Sequence, residues 1–436
     1  MMYRQKLFIV ALLALVTGLV AAPGAFAQEA GVCNVEAPAE PVELNMIGWS
    51  FPIADFYAAE LEGCSAVENL TVNASLLSSS DVQEQVNLAL STGGDSPYDI
   101  MHAANGQVSD WGGKGWLMPL NDLIDKYRDE YDLDDIPAVI WEGGTLDGNI
   151  YGVPIIGNTL HLFYRSDVLA EMGMEAPETY ADVIAFCDAV GMDNMDWDAP
   201  FGMDLSRARG WELEFFMVLG ALGGTYIGEG NQPAFNGPEG VQALELMVDV
   251  YNACLGDAAS SLSNNGMETG MHQGVLPMVK LWASRAAGMS NPDNTDLTDV
   301  IDFAPAPRVV EGGPRAGSAW NDFFFIPANT TNDPDLIFRV IMEAADAASQ
   351  QQAAVLGIPS RVSASDFGGK YLPAANATLA ESVGNYAKNP AVNIAITKLS
   401  EFLPLTATGE MTPAEALDAA AAAYVEEATA QGFIEG

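Results

Sequence analysis

Apolar and polar residues alternate along Val42-Glu43-Leu44-Asn45-Met46 and again along Leu70-Thr71-Val72-Asn73-Ala74. A period of two places one set of side chains on one face of an extended chain, so both runs read as strands. Residues 53–62, between them, read as a helix. After the second strand, Val82, Val86, Ala89 and Leu90 follow at helical spacing behind Ser80 and Gln83, a capping-box pattern. Thr92-Gly93-Gly94-Asp95 stops that helix, Tyr98–His102 is a short third strand, and Asn105 opens the next loop. The order β-α-β-α-β is that of a parallel sheet with helices on its faces. Such sheets bind ligands outside the carboxyl ends of their strands. Those ends are Trp49-Ser50, the loop Ser78–Ser80, and His102 to Asn105.

Further on the pattern changes. Gly148-Asn149 is a turn, Tyr151–Ile156 is an apolar extended run around Pro154, and Gly157-Asn158-Thr159 is a polar interruption. Leu160–Tyr164 reads as a strand and Asp167–Met172 as a short helix. Pro177 then leads into an amphipathic helix anchored by Thr179 and Asp182, with Tyr180, Val183, Ile184 and Cys187 on one face. We read Gly148–Cys187 as a passage from one lobe to another, its polar interruption lining a ligand cleft. Strand signals thin out from 188 to 300. Trp211–Tyr226 is aromatic and helical up to Gly223-Gly224, Asn236–Gly240 opens another helix, and Met267–Lys280 holds a helix end and a strand. A loop rich in Pro and Gly covers Pro305–Gly317, followed by a strand at Phe323–Pro327 and a helix capped by Asp333-Pro334. Gly357–Arg361 is a further extended passage. Thr412 with Glu415 caps an alanine-rich last helix that runs to about Ala428.

Length and composition fit this two-lobed reading. The chain has 436 residues, 49% of them hydrophobic, enough for two cores. Lys and Arg number 17 against 59 Asp and Glu, a net charge of −42. A surface this acidic argues against nucleic acid and anionic membranes as partners, and fits a monomer soluble in a salty medium. Residues 1–27 have the form of a secretory signal: basic Arg4 and Lys6, the apolar run Leu7–Val16, and Ala25-Phe26-Ala27 as cleavage site. No later stretch is apolar enough for membrane insertion. Export places the four cysteines in an oxidising compartment. Of the three pairings, Cys33–Cys64 with Cys187–Cys254 is favoured because it keeps each bridge within one proposed lobe. There is no CxxC and the three His are scattered, so neither a metal nor a cofactor is expected.

The chain resembles the extracellular solute-binding proteins of ABC importers, in their carbohydrate-binding, maltose-binding-protein-like family 1. Ser91–Ile100 is similar to that family's SGDxPDV signature and Gly115–Leu120 to its GxLxPL. Gly148–Pro154 is similar to GKxYGVP, and Phe163–Leu169 to xYNKDLL, with Arg165-Ser166 where Asn-Lys is usual. Gly173–Tyr180 is similar to GLxxPPxTW, with Tyr180 for Trp. The resemblance covers nearly the whole mature chain and is specific through the order of these pieces. It implies a class II periplasmic-binding-protein fold, α/β, each lobe a mainly parallel sheet flanked by helices. Crossings are expected near 154–160, 305–320 and 357–362. The lobes would then be 28–155 with 316–358, and 156–315 with 359–436. Closure on a ligand would be read by the permease subunits of an importer, from the periplasm.

A sugar offers hydroxyls around a ring with an apolar face, so its site needs planar hydrogen-bond partners beside an aromatic platform. Candidates at the strand ends are Trp49, Ser80, Asp81 and Asn105. At the crossings they are Asn158, Thr159, the motif Trp320-Asn321-Asp322 and Arg361, and within the second lobe Trp211, Lys280 and Trp282. Each also has a plain structural explanation as core, cap or ion pair. Trp111, Trp116, His102, His161 and His272 are read as structural. The expected ligand is a mono- or oligosaccharide, with a polyol or a polyamine as the alternative. A secreted polysaccharide-degrading enzyme is the rival class. No GxSxG, HExxH or phosphate loop supports it, and carboxylate pairs carry no information among 59 acidic residues.

Overall fold

Three parallel strands begin the first lobe: β1 (Val42–Trp49), β2 (Leu70–Leu77) and β3 (Ile100–Ala104). The computed structural model describes residues 33–192, 194 and 196–435, the side chains of Ser79 and Ser80 excepted. The expected signal segment, 1–27, lies outside the described residues. The chain continues through β4 (Gly152–Asn158), β5 (Leu160–Arg165), β6 (Met278–Trp282), β7 (Ile301–Ala304), β8 (Trp320–Phe325) and β9 (Ile358–Pro359). Six strands form one sheet in the order β9-β4-β8-β3-β1-β2, and three form another in the order β6-β5-β7. The chain passes between the sheets after Asn158, between Ala304 and Trp320, and after Pro359.

The first sheet is covered on both faces. Alternate residues of a strand point to opposite sides, so Leu44 and Met46 enter one core and Ile47 the other. Phe324 and the pair Phe323 and Phe325 divide in the same way. One face is closed by the helices Pro52–Gly63 and Pro334–Ala344, through Phe56, Leu61, Ile337 and Ile341. The other is closed by Ser79–Ser91, through Val82, Val86 and Leu90, together with Trp111. Pro154 sits inside this sheet without breaking it. Asp322 pairs with Ile156 and Phe323 with Pro154, so the ladder slips there, and a bulge tolerates a residue without an N–H. The carbonyl of Ile155, the extra residue, accepts from the Tyr57 hydroxyl at 3.0 Å.

Strand direction departs from the mainly parallel sheets expected. β8 runs antiparallel to β3 and β4, and β9 antiparallel to β4. The second sheet is antiparallel throughout. The reason is the crossings: β8 re-enters the first sheet at the end where β1 and β3 leave it, so it must run against them. The helix after β2 also starts differently. Its cap is Ser78, whose hydroxyl oxygen accepts the Asp81 N–H at 3.2 Å, so the expected Ser80–Gln83 pair falls inside the helix. The boxes at Thr179/Asp182 and Thr412/Glu415 form as the sequence indicates.

The second core packs helices against the small sheet, among them Tyr180–Val190, Ala208–Ala221, Pro238–Val250 and Ala391–Phe402. The disulfides are Cys33–Cys64 and Cys187–Cys254, one in each core. They close loops of 31 and 67 residues. By the chain-entropy argument each removes about 4 kcal/mol of freedom from the unfolded chain. Among the described residues no helix is long and apolar enough to cross a membrane, and no group of His, Cys, Asp and Glu could hold a metal ion.

Candidate functional site

The topology brings the carboxyl ends of β1 and β3 together with the start of β8, because β8 runs the other way and pairs Asp322 with Ala104. Trp49, Asn105, Gly106, Gln107 and Trp320 therefore share one edge of the first sheet. They form one wall of a cleft of about 740 Å³. The opposite wall belongs to the second lobe. It consists of Arg207 and Arg209 at the start of the helix Ala208–Ala221, the loop Asn385–Asn389, and Val392, Asn393, Ile396 and Thr397 on one side of the helix Ala391–Phe402.

The wall is aromatic and cationic. Tyr386 lies 4.1 Å from Phe216 and 5.9 Å from Trp320 between ring centroids. The phenol accepts from Arg209 Nη1 at 3.0 Å and donates to Glu212 Oε2 at 3.2 Å, and burial pushes its pKa up. Arg209 also pairs with the buried Glu212 carboxylate. Arg207 donates through Nε to Asp204 at 3.0 Å, and its side chain is 55% exposed, so the rest of its guanidinium stays available. Lys388 completes three cations against one acidic lining residue, Asp110, itself 2.7 Å from Lys114.

Four polar atoms of the lining are buried and have no hydrogen-bond partner among the described residues: Asn105 Oδ1, Gln107 Oε1, Asn385 Oδ1 and Trp320 Nε1. Buried polar atoms are nearly always paired, since leaving one unpaired costs about 1–3 kcal/mol. The set offers three acceptors and one donor, and the arginines add further donors.

The candidates read from sequence divide clearly. Trp49, Asn105 and Trp320 line the cleft. Asp322 stands just behind it, 92% buried by its 8% exposure, accepting from Trp49 Nε1 at 3.4 Å and lying 3.1 Å from His102 Nε2. It thus orients the Trp49 ring. Trp282 supports Trp320 at 6.4 Å. Asn321 is buried and its backbone carbonyl accepts from Asn105 N–H at 2.9 Å, while its Oδ1 has no partner.

Other candidates serve elsewhere. Asn158 ties the first crossing to the second lobe through Ser284, at 3.2 Å from both Oγ and the backbone N–H. Thr159 is fully buried and packs against Gly317, where a Cβ would also meet Thr378 at 2.4 Å; the glycine is there for close packing and not to free a loop. Asp81 is exposed in its helix cap. The Ser80 side chain lies outside those described. Trp211 is core, donating to the Leu205 carbonyl at 3.0 Å. Lys280 is fully buried against Glu214 at 2.6 Å and the Tyr180 hydroxyl at 3.1 Å. Arg361, 1% exposed, caps the carbonyls of Tyr131, Asp132 and Ala345 in the first lobe.

Sequence reasoning missed Gln107, Arg207, Arg209, Asn385, Tyr386 and Lys388. A signal existed for the last three: Gly384-Asn385-Tyr386-Ala387-Lys388-Asn389-Pro390 is a polar loop with an aromatic, bounded by a glycine and a proline. Nothing in Arg207 and Arg209 distinguishes them from ion-paired surface residues until the fold is known.

Comparison with known proteins converges on one family. A mannitol-binding protein of Pseudomonas aeruginosa is 24% identical over 369 residues, covering 77% of this chain and 81% of its own. A solute-binding protein of Agrobacterium radiobacter K84, solved with ribitol, superposes with a TM-score of 0.76 at 20% identity, covering 89% of this chain and 98% of its own. Another, from Agrobacterium vitis S4 with bound D-mannitol, gives 0.75 at 20% identity, covering 89% and 99%. These superpositions establish the two-lobed fold of solute-binding proteins. The sequence model of the bacterial extracellular solute-binding proteins matches residues 65–351, well over half of the chain, and the chain belongs to that family.

Proposed function

We propose that this protein captures a neutral polyhydroxylated solute, a sugar or a sugar alcohol, between its lobes and delivers it to the permease of an ABC importer. The observation that carries the reading is the set of four buried, unpartnered polar atoms on one cleft beside aromatic rings. A hydroxyl both donates and accepts, so a polyol satisfies Asn105, Gln107 and Asn385 as donor and Trp320 and Arg207 as acceptor. Trp49, Trp320 and Tyr386 supply flat apolar area for the C–H face of such a ligand. The proteins solved with ribitol and D-mannitol support this class. Three cations in the lining speak against a polyamine. The match to a solute-binding family supports binding over turnover. Residues 28–155 and 316–358 would move as one lobe, and 156–315 and 359–436 as the other. The secretory form of residues 1–27 supports a location outside the cytoplasmic membrane.

A thermal-shift screen tests the proposal. D-mannitol, ribitol, maltose and monosaccharides are compared with putrescine and spermidine. A saturable rise in melting temperature with a sugar or polyol, without chemical change of the ligand, is expected. A response confined to the amines, or conversion of the ligand to product, would overturn it.

A further inference from the structure

Lys388 is among the side chains that reach across the cleft, beside Asn385 and Tyr386. Lys388, carried by the second lobe, donates from Nζ to the backbone carbonyls of Glu142 and Thr145 in the first lobe, the latter at 2.5 Å. These carbonyls lie at the end of the helix Ala138–Gly143 and just past it, where backbone oxygens lack helical partners and carry partial negative charge. The helix is itself seated firmly. A Cβ at Gly143 would meet the Phe323 ring at 3.0 Å and Asn321 Nδ2 at 3.2 Å, so the helix end rests on β8.

The loop that carries Lys388 is equally fixed. Asn389 Nδ2 donates to Asn231 Oδ1 at 2.7 Å, and Asn389 Oδ1 accepts from the Ala391 N–H at 3.0 Å. Lys388 also makes no carboxylate pair within 4 Å among the described residues, unlike Arg207 and Arg209. Its charge therefore acts on the first lobe and on the cleft.

We propose that Lys388 is a positioning residue for capture: a latch that holds the two lobes together over the cleft and couples their closure to the bound solute. An ammonium has three donors. Two are committed to Glu142 and Thr145, and the third is free for a hydroxyl of the ligand, since Lys388 lines the cleft. A ligand shifts an equilibrium between open and closed lobes only through contacts made better in one of them. The Lys388 ammonium supplies such a contact, because it meets carbonyl and ligand together only when the lobes are near. The coupling to ligand rests on the function proposed above, whereas the latch itself does not.

The test compares wild type with Lys388→Met, which keeps the apolar stem, and Lys388→Arg, which keeps the charge. Small-angle scattering of the ligand-free proteins is read first. Lys388→Met is expected to have a larger radius of gyration than wild type, with Lys388→Arg between them; identical radii for Met and wild type overturn the latch. Stopped-flow binding of D-mannitol is read second. Lys388→Met should raise the dissociation rate about tenfold with association unchanged, the lower end of the size of one hydrogen bond to a charged group. A loss confined to association, or no change, overturns the coupling. Should D-mannitol fail to bind wild type, the proposed ligand class is at fault, and the scattering still decides the latch.

Discussion

Two groups of buried polar side chains differ in one respect. Under the small sheet of the second lobe, Lys280, Glu214 and Tyr180 satisfy one another: Lys280 Nζ lies 2.6 Å from Glu214 and 3.1 Å from the Tyr180 hydroxyl, with the two charged side chains almost fully enclosed. Around the cleft, Asn105, Gln107, Asn385 and Trp320 each keep a buried atom without a hydrogen-bond partner among the described residues. The first group completes its interactions on folding, and under the proposed function the second would complete them on binding. Between these two groups the difference is whether the fold supplies the partner.

Breaking the first group gives the largest effect expected. Lys280→Met leaves Glu214 buried without its cation, and loss of one partner of a buried pair costs about 3–5 kcal/mol. Urea unfolding would measure this. Burial raises the Glu214 pKa against the pull of Lys280, so protonation can relieve the lone carboxylate. The loss should therefore shrink as pH falls. Lys280→Met combined with Glu214→Leu should recover most of the stability. Below the unfolding transition, ligand affinity should be unchanged in all of these variants; a specific loss of binding would bring Lys280 back into the site.

His161 sharpens the same contrast through pH. It is fully buried on β5, stacked 4.7 Å from Phe163, and desolvation holds its imidazole down at about 4. The unfolded chain takes up this proton near pH 6.5. Between pH 6.5 and about 4 the unfolded state is the one that binds more protons, so stability falls as pH is lowered through that window. His161→Phe removes the group. The difference in unfolding free energy between variant and wild type should move by about 3 kcal/mol in favour of the variant from pH 7 to pH 4. A pH-independent difference would mean that His161 is protonated inside the fold.

At the cleft the prediction concerns affinity. Trp320→Ala removes a ring that borders the cleft and contacts Tyr386, while the ladder of β8 remains. Central aromatic contacts lose about 2 kcal/mol or more on truncation, so Kd should rise about 30-fold by isothermal titration. Trp211→Ala is the control: a core tryptophan whose loss lowers stability by about 3–5 kcal/mol and leaves affinity in the folded protein alone. Equal effects of the two on binding would dissolve the distinction between cleft and core.

The sequence disclosed the fold far better than the site. Periodicity marks β1, β2 and the helix on which Val82, Val86 and Leu90 lie, because each depends on a local repeat against one core. The passage at Asn158 is legible for a similar reason, as a polar break in an apolar run. The direction of β8 is not, since nothing near Phe323 records which way the chain returns. Of the site, the first-lobe wall was legible: strand ends in a β-α-β sheet are ligand-facing by topology, which selects Trp49 and Asn105. The second-lobe wall is made from a helix start and a loop 178 residues apart, as the numbers of Arg207 and Asn385 show, and only tertiary packing joins them. Lys280 and Arg361 misled because a cation looks the same in sequence whether it faces a ligand, a buried carboxylate as Lys280 does, or backbone carbonyls as Arg361 does.

Two asparagines carry the comparison to its finest scale. Asn158 and Asn385 are both half-buried amides that join crossing segments. Asn158 spends its carbonyl on the Thr159 and Ser284 N–H groups and its amide nitrogen on Ser284 Oγ. Asn385 spends its nitrogen on the Ala319 carbonyl, and its Oδ1 remains for the cleft. Alanine at 158 should therefore lower the stability of the ligand-free protein by about 1 kcal/mol, the net worth of such a bond. Alanine at 385 should instead raise Kd by about fivefold for a sugar or polyol, through the bond its carbonyl makes to a hydroxyl. Because Asn385 also holds Ala319, its own stability cost is nonzero, and the informative quantity is the ratio of the two effects. If Asn158→Ala weakens binding more than Asn385→Ala does, the first crossing shapes the closed state more strongly than the cleft amides hold the ligand.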